Sequence, residues 1–364
     1  MADVRTYLDH NATSPLRPSA RSAMLAALDA GGNASSVHAE GRAARKILDD
    51  ARETLGFAFG CLPEMMVFTS GGTEANTMAL RGVEAERILV SAVEHPSALA
   101  AARASGKTVE IIPVDREGRV DLAALEKMIA GPNVLVSVML ANNETGVIQP
   151  IADVVALARK AGALVHVDAV QGFGKMPVNF GVLGCDLMTV AAHKVGGPVG
   201  VGALIIRDGL VVEPLLNGGG QELRRRAGTE NLAGVAGWAA VAKENAIDTK
   251  ALRDELDSSL EGAVILGMGA ERLPNTTCFA MPGFRAETLL MNFDLAGIAV
   301  SSGSACSSGK VGRSHVLDAM GVAPELAAAA IRVSLGWTST AADVRHFVTV
   351  WKQLVARQRA RQAA

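Results

Sequence analysis

Between about residue 60 and residue 207, apolar positions fall in short unbroken runs: Met66–Thr69, Ile88–Val93, Val134–Leu140, Leu164–Val167, Leu187–Val190 and Val201–Ile206. Because the runs are continuous and not alternating, they predict strands buried on both faces of a largely parallel sheet. The stretches between them have helical periodicity, as in Ile151–Ala161, and fit the crossovers such a sheet needs. Pro214 through Gly220 is a Gly-rich break, and after Ala240 the pattern becomes helix, strands and helices of an α+β kind, closing on a helix over Thr349–Ala364. The first dozen residues are expected to join that second part. The expected fold class is α/β, with a large domain over 13–245 and a small α+β domain from 1–12 and 246–364.

In open α/β sheets ligands bind outside the carboxyl ends of the strands, so the polar residues that follow each run are the ones to weigh. Met66–Thr69 runs into Ser70-Gly71-Gly72-Thr73-Glu74-Ala75-Asn76 and a helix. A helix N-terminus behind a Gly-rich turn offers free N–H groups and suits phosphate, although a plain helix cap explains the stretch as well. No Gly-Lys-Ser/Thr follows, so it is not a P-loop. Leu164–Val167 ends in Asp168, with Gln171 soon after, and Leu187–Val190 leads to His193-Lys194 and a Gly-Gly-Pro turn. A lone lysine there could simply be solvated. An anion site, an amine and a carboxylate at neighbouring strand ends together meet the needs of pyridoxal phosphate.

Composition narrows the picture. In 364 residues, 49% are hydrophobic and 20% charged, as in ordinary soluble enzymes. Thirty-five basic against thirty-seven acidic side chains leave a net charge of −2, which is no footprint for nucleic acid or an anionic membrane. No apolar run is long enough to span a bilayer, and MADVRTYLDH lacks the features of a secretory signal, so a cytoplasmic protein is expected. The four cysteines, Cys61, Cys185, Cys278 and Cys306, form no CxxC pairs, which argues against zinc or a disulfide framework. The first three sit among apolar residues and read as small core residues. Cys306 lies in Ser301-Ser302-Gly303-Ser304-Ala305-Cys306-Ser307-Ser308-Gly309, where a mobile, solvated loop is expected, and Lys310 and Arg313 beside it would favour the thiolate.

The stretches YLDHNAT, GNASSVH, FTSGGTEANTMA, ANNETGV, HVDAVQ, AAHKVGGPVGVGAL, RAGTEN, SSGSACSSG and IRVSLG, in that order over essentially the whole chain, resemble cysteine desulfurases of the NifS/IscS type. The resemblance implies the aspartate-aminotransferase fold, a homodimer and pyridoxal 5'-phosphate held on Lys194 as a Schiff base. It implies that Asp168 pairs with the pyridine nitrogen, and that Gln171 and Asn143 contact the ring oxygen, Asn143 also facing the substrate. Gly72, Thr73 and His193 would hold the phosphate, joined by Thr229 from the neighbouring subunit. His95, by itself a plausible structural hydrogen-bonder, would stack on the ring and move protons. Arg332, a guanidinium in an apolar strand whose best partner is a bidentate carboxylate and whose lesser reading is a structural salt bridge, would bind the carboxylate of L-cysteine. Cys306 would take the sulfur as a persulfide, release alanine, and pass sulfur to an acceptor or iron–sulfur scaffold protein, with Cys306 as a possible transient iron–sulfur ligand. Two departures stand out: Ala191 replaces the usual Ser of Ser-x-His-Lys, and the last helix is not followed by the longer tail that helps housekeeping desulfurases dock their scaffold. A selenocysteine lyase or an aminotransferase of the same fold is the alternative activity, and a non-catalytic sulfur carrier the alternative of a different class.

Overall fold

The computed structural model describes residues 5–246, 248–303 and 313–363, with side chains to residue 360. Every apolar run forms a strand of one seven-stranded sheet. Its order is Met66–Thr69, Gly202–Ile206, Leu187–Ala191, Leu164–Asp168, Val134–Met139, Arg87–Ser91 and Thr108–Ile112. The last five are mutually parallel. Gly202–Ile206 is antiparallel to both its neighbours, so Met66–Thr69 regains the common direction. Six strands therefore deliver their carboxyl ends to one edge of the sheet. The reversed strand enters at that same edge through Gly202, where a Cβ would lie 2.7 Å from the Gly71 carbonyl carbon and 2.8 Å from Val190 O. A side chain there would push the Gly71 turn off the sheet.

Thr108–Ile112 was not expected. It is an edge strand whose Thr108 and Ile111 are exposed, so it needs no continuous apolar run. The strand expected over Ile88–Val93 stops at Ser91, where Glu94 N turns back onto Ser91 O. Helix Ile151–Ala161 lies where the periodicity put it. Helix Leu232–Ala242 is apolar all round because it is enclosed: Trp238 is fully buried, and helices Pro18–Ala30 and Ala39–Phe59 pack against it.

The C-terminal part is an antiparallel sheet in the order Ser301–Ser302, Ala330–Ser334, Thr276–Ala280, Val264–Ile265. Helices Lys250–Ser259, Ala286–Leu295 and Ala341–Ala363 accompany it, and their shared core is aromatic. Phe293 stacks on Phe347 at 4.7 Å, and Phe279 meets Trp351 edge-on at 5.1 Å. The final helix begins at Ala341, not at Thr349: Thr340 N and Oγ1 both donate to Asp343 Oδ2, a cap that starts the helix a full two turns earlier. At the other end of the chain, Thr6–Tyr7 pairs in parallel with Ile298–Ala299. No described helix is long and apolar enough to cross a membrane.

Candidate active site

The shared strand edge opens into a cavity of about 390 Å³ lined by Gly72, Thr73, His95, Asn143, Asp168, Gln171, His193, Lys194 and Arg332, among others. Nine residues singled out in the sequence thus meet in one place. The sheet supplies most of them: each follows, or ends, one of the parallel strands or sits at the N-terminus of helix Gly72–Gly82. Ala191, at the position where the resemblance implies a serine, also lines the cavity and brings only a methyl group.

Lys194 lies in the tight turn His193–Val195. The turn is closed by Gly196 at φ +87, where a Cβ would meet Pro15 O and Trp337 Nε1 at 3.0 Å. Its Nζ donates to Asn11 O at 2.7 Å and to Ala12 O at 2.9 Å, so the N-terminal segment presents two carbonyls to the amine. Asp168 is held by Asn76 Nδ2 at 2.8 Å and by Val170 N at 3.0 Å. Asn76 also donates to Ser97 Oγ, while its own Oδ1 is buried with no hydrogen-bond partner.

Burial is the main cause that disfavours the charged form of three imidazoles around the site. His95 is lowered by burial and by Lys194, against the pull of Asp168, and its Nδ1 is engaged by the backbone N–H and hydroxyl of Ser97. His193 is brought down to about 4 by burial and the neighbouring lysines, with Nδ1 beside Thr13 Oγ1. His166, one layer below on the Asp168 strand, also falls to about 4 and bridges Ser137 and Thr189 across three strands. Glu94 is fully buried beside Asp168, and desolvation raises its carboxyl well above the usual range.

Arg332 is 1% exposed. Its NH2 donates to Asp9 Oδ1 at 2.8 Å and its NH1 to Asn143 O at 2.9 Å, while Nε is buried with no partner. The other oxygen of Asp9 accepts from Ser301 Oγ at 2.8 Å. Asp9, Asn11, Asn76 and Glu94 were not singled out in the sequence. The first two lie in YLDHNAT, at the start of the chain, and no spacing rule connects them to a site assembled from strand ends.

One expected residue, Thr229, is not among those lining this cavity. Thr229 lines a separate one of about 240 Å³ with Ser70, Gly200 and Arg226. Cys306 and Lys310 lie outside the described residues. Arg313, expected to favour the thiolate, is ion-paired with Asp318. Of the other cysteines, Cys185 and Cys278 are buried and Cys61 partly so, and burial pushes all three thiols up to about 12. Among the described residues, no group of three or more His, Cys, Asp or Glu side chains could hold a metal ion.

Residues 6–347 match the family Aminotransferase class-V. The cysteine desulfurase IscS of Dictyoglomus turgidum is 40% identical over 97% of this chain and 95% of its own. An IscS-like cysteine desulfurase of Mycobacterium tuberculosis is 40% identical over 97% of each. Among solved structures, a NifS-like protein from Rickettsia africae superposes with a TM-score of 0.90 at 36% identity, covering 97% of this chain and 100% of the other. The protein SspA in complex with cysteine superposes at 0.81 and 26% identity, covering 91% of this chain and 98% of the other.

Proposed function

The chain belongs to the class-V aminotransferase family and is a pyridoxal-phosphate-dependent cysteine desulfurase, and from that premise we propose how its own residues carry the reaction. The observation that supports the reading most is the convergence of Lys194, Asp168, His95 and Arg332 on one cavity.

The donors present fit pyridoxal phosphate. Lys194 would hold it covalently through its amine. Asp168, already oriented by Asn76 and Val170 N–H, would face the ring nitrogen. Gly72, Thr73 and His193 would receive the phosphate at a helix N-terminus, with Thr229 supplied by the second subunit of a homodimer. Gln171 and Asn143 would meet the ring oxygen. Bound there, the cofactor supplies an electron sink for the substrate's α-carbon.

Arg332 binds the α-carboxylate of L-cysteine, since a buried guanidinium with an unpartnered Nε favours a charge-assisted pair. The Lys194 amine or the His95 ring, whose charged form burial disfavours, takes the α-proton and returns one to the substrate carbon skeleton. The Cys306 thiolate attacks the substrate sulfur. An S–S bond forms, the Cβ–S bond breaks, and its electron pair, with a proton, stays on Cβ, so that alanine leaves and Cys306 keeps a persulfide. The terminal sulfur then passes to an acceptor or scaffold protein for iron–sulfur cluster assembly, with Cys306 a transient ligand of the nascent cluster. A cytoplasmic homodimer, with a large domain over 13–245 and a small one from 1–12 and 246–364, completes the reading.

Incubating the purified protein with L-cysteine and weighing it by mass spectrometry tests this. The expected result is one added sulfur on Cys306 and one alanine released per sulfur. Alanine without any mass gain on Cys306 would overturn the nucleophile.

A further inference from the structure

A second lysine stands next to the cofactor site and has no part in the mechanism above. Lys175 does not line the main cavity. It lines a smaller one of about 30 Å³ that also touches Lys194. Its Nζ donates to Gln171 Oε1 at 2.6 Å and to Asn11 Oδ1 at 2.9 Å. Gln171 Nε2 in turn donates to Asn11 O at 3.0 Å, and that same carbonyl accepts from Lys194 Nζ at 2.7 Å. The two lysines therefore share one asparagine, one on its side chain and the other on its backbone.

A glutamine amide has an acceptor at one end and two hydrogens at the other, so its neighbours decide which end faces where. Here two contacts agree. Lys175 Nζ donates to Oε1 while it also donates to Asn11 Oδ1, and the Asn11 carbonyl must face Nε2. Reversing the amide would set Oε1 against a carbonyl oxygen and Nε2 against an amine. With one Nε2 hydrogen spent on Asn11, the second remains available to a ligand of the cavity that Gln171 lines.

We propose that Lys175 is a positioning residue, which holds the Gln171 amide so that the cavity meets an N–H donor and not a carbonyl oxygen, as an anionic ring oxygen requires. The inference rests on the cofactor reading above. Lys194, Arg332, His10 and His193 interact electrostatically with Lys175, and Arg17, Arg253, Asp254 and Asp257 share its cavities; burial together with Lys194 and Arg332 pushes its amine well below the usual lysine range. Either protonation state keeps at least two hydrogens, one for each oxygen it meets.

The test is the pH at which the visible absorbance of the holoenzyme titrates. In Lys175→Met the amide keeps only its Asn11 contact, so the donor to the ring oxygen is held less firmly and the anionic form of that oxygen is less favoured. The transition should move up by about one pH unit. Lys175→Arg, which keeps donors for both oxygens, should restore at least part of the shift. Lys175→Gln, shorter and with one amide donor, should show a smaller shift and serves if Lys175→Met does not fold. In a Gln171→Met background the Lys175→Met change should add nothing, because its effect passes through the missing amide. A transition that does not move in Lys175→Met or Lys175→Gln, or a full further shift in the Gln171→Met background, would overturn the proposal. A wild-type protein that takes up no cofactor absorbance would instead overturn the cofactor reading.

Discussion

Arg332 and Asp9, 323 positions apart in the chain, meet at 2.8 Å, and Asp9 also accepts from Ser301, the residue paired with Arg332 in the neighbouring strand. The guanidinium is thereby fixed before substrate arrives, with Nε left unpartnered inside the protein. Arg332→Ala should leave the cofactor spectrum intact and lower kcat/KM for cysteine about a hundredfold or more, as expected for about 2–5 kcal/mol of lost charge-assisted binding. Steady-state kinetics alongside the absorbance spectrum checks it, and an unchanged specificity constant refutes the assignment.

Lys194 is held by two carbonyls of the N-terminal segment. Lys194→Ala should abolish both the covalent cofactor absorbance and alanine production. Spectra of the purified variant after incubation with pyridoxal phosphate decide the first point, and an alanine assay the second.

Cys306→Ser should still take up the cofactor and bind cysteine, yet release no alanine, because a hydroxyl does not ionise where a thiol does. Cys61, Cys185 and Cys278, whose thiols burial pushes up to about 12, should tolerate Ala with turnover nearly unchanged. Alanine release by Cys306→Ser at the wild-type rate would move the nucleophile elsewhere.

Glu144 is buried, and desolvation lifts its carboxyl to about 7 against the opposing pull of the Ser314 hydroxyl and Arg332. A carboxyl raised in the folded protein favours folding below its unfolded value near 4.5 and loses that contribution as pH climbs through about 7. The loss is on the order of 3 kcal/mol across that window. Glu144→Gln keeps an acceptor for Ser314 without the titration, so its melting temperature should fall less between pH 5 and pH 8 (about three units of pH in all) than that of the wild type. Parallel melting curves would refute it.

The sequence alone determined the seven-stranded α/β core almost completely, since strands buried on both faces must be apolar at every position and announce themselves as unbroken runs. The edge strand Thr108–Ile112 escaped because an edge is half solvated. The strand ends also singled out Asp168 and Lys194, which line one cavity, because a parallel sheet sends its carboxyl ends to one side. Tertiary structure alone decided how these groups are held. Asp9 with Arg332, Asn11 beneath both lysines, Asn76 on Asp168 and Ser314 on Glu144 are partners from distant parts of the chain. Periodicity reports which face of an element is buried, whereas the partner a buried charge finds depends on which other element is packed against that face.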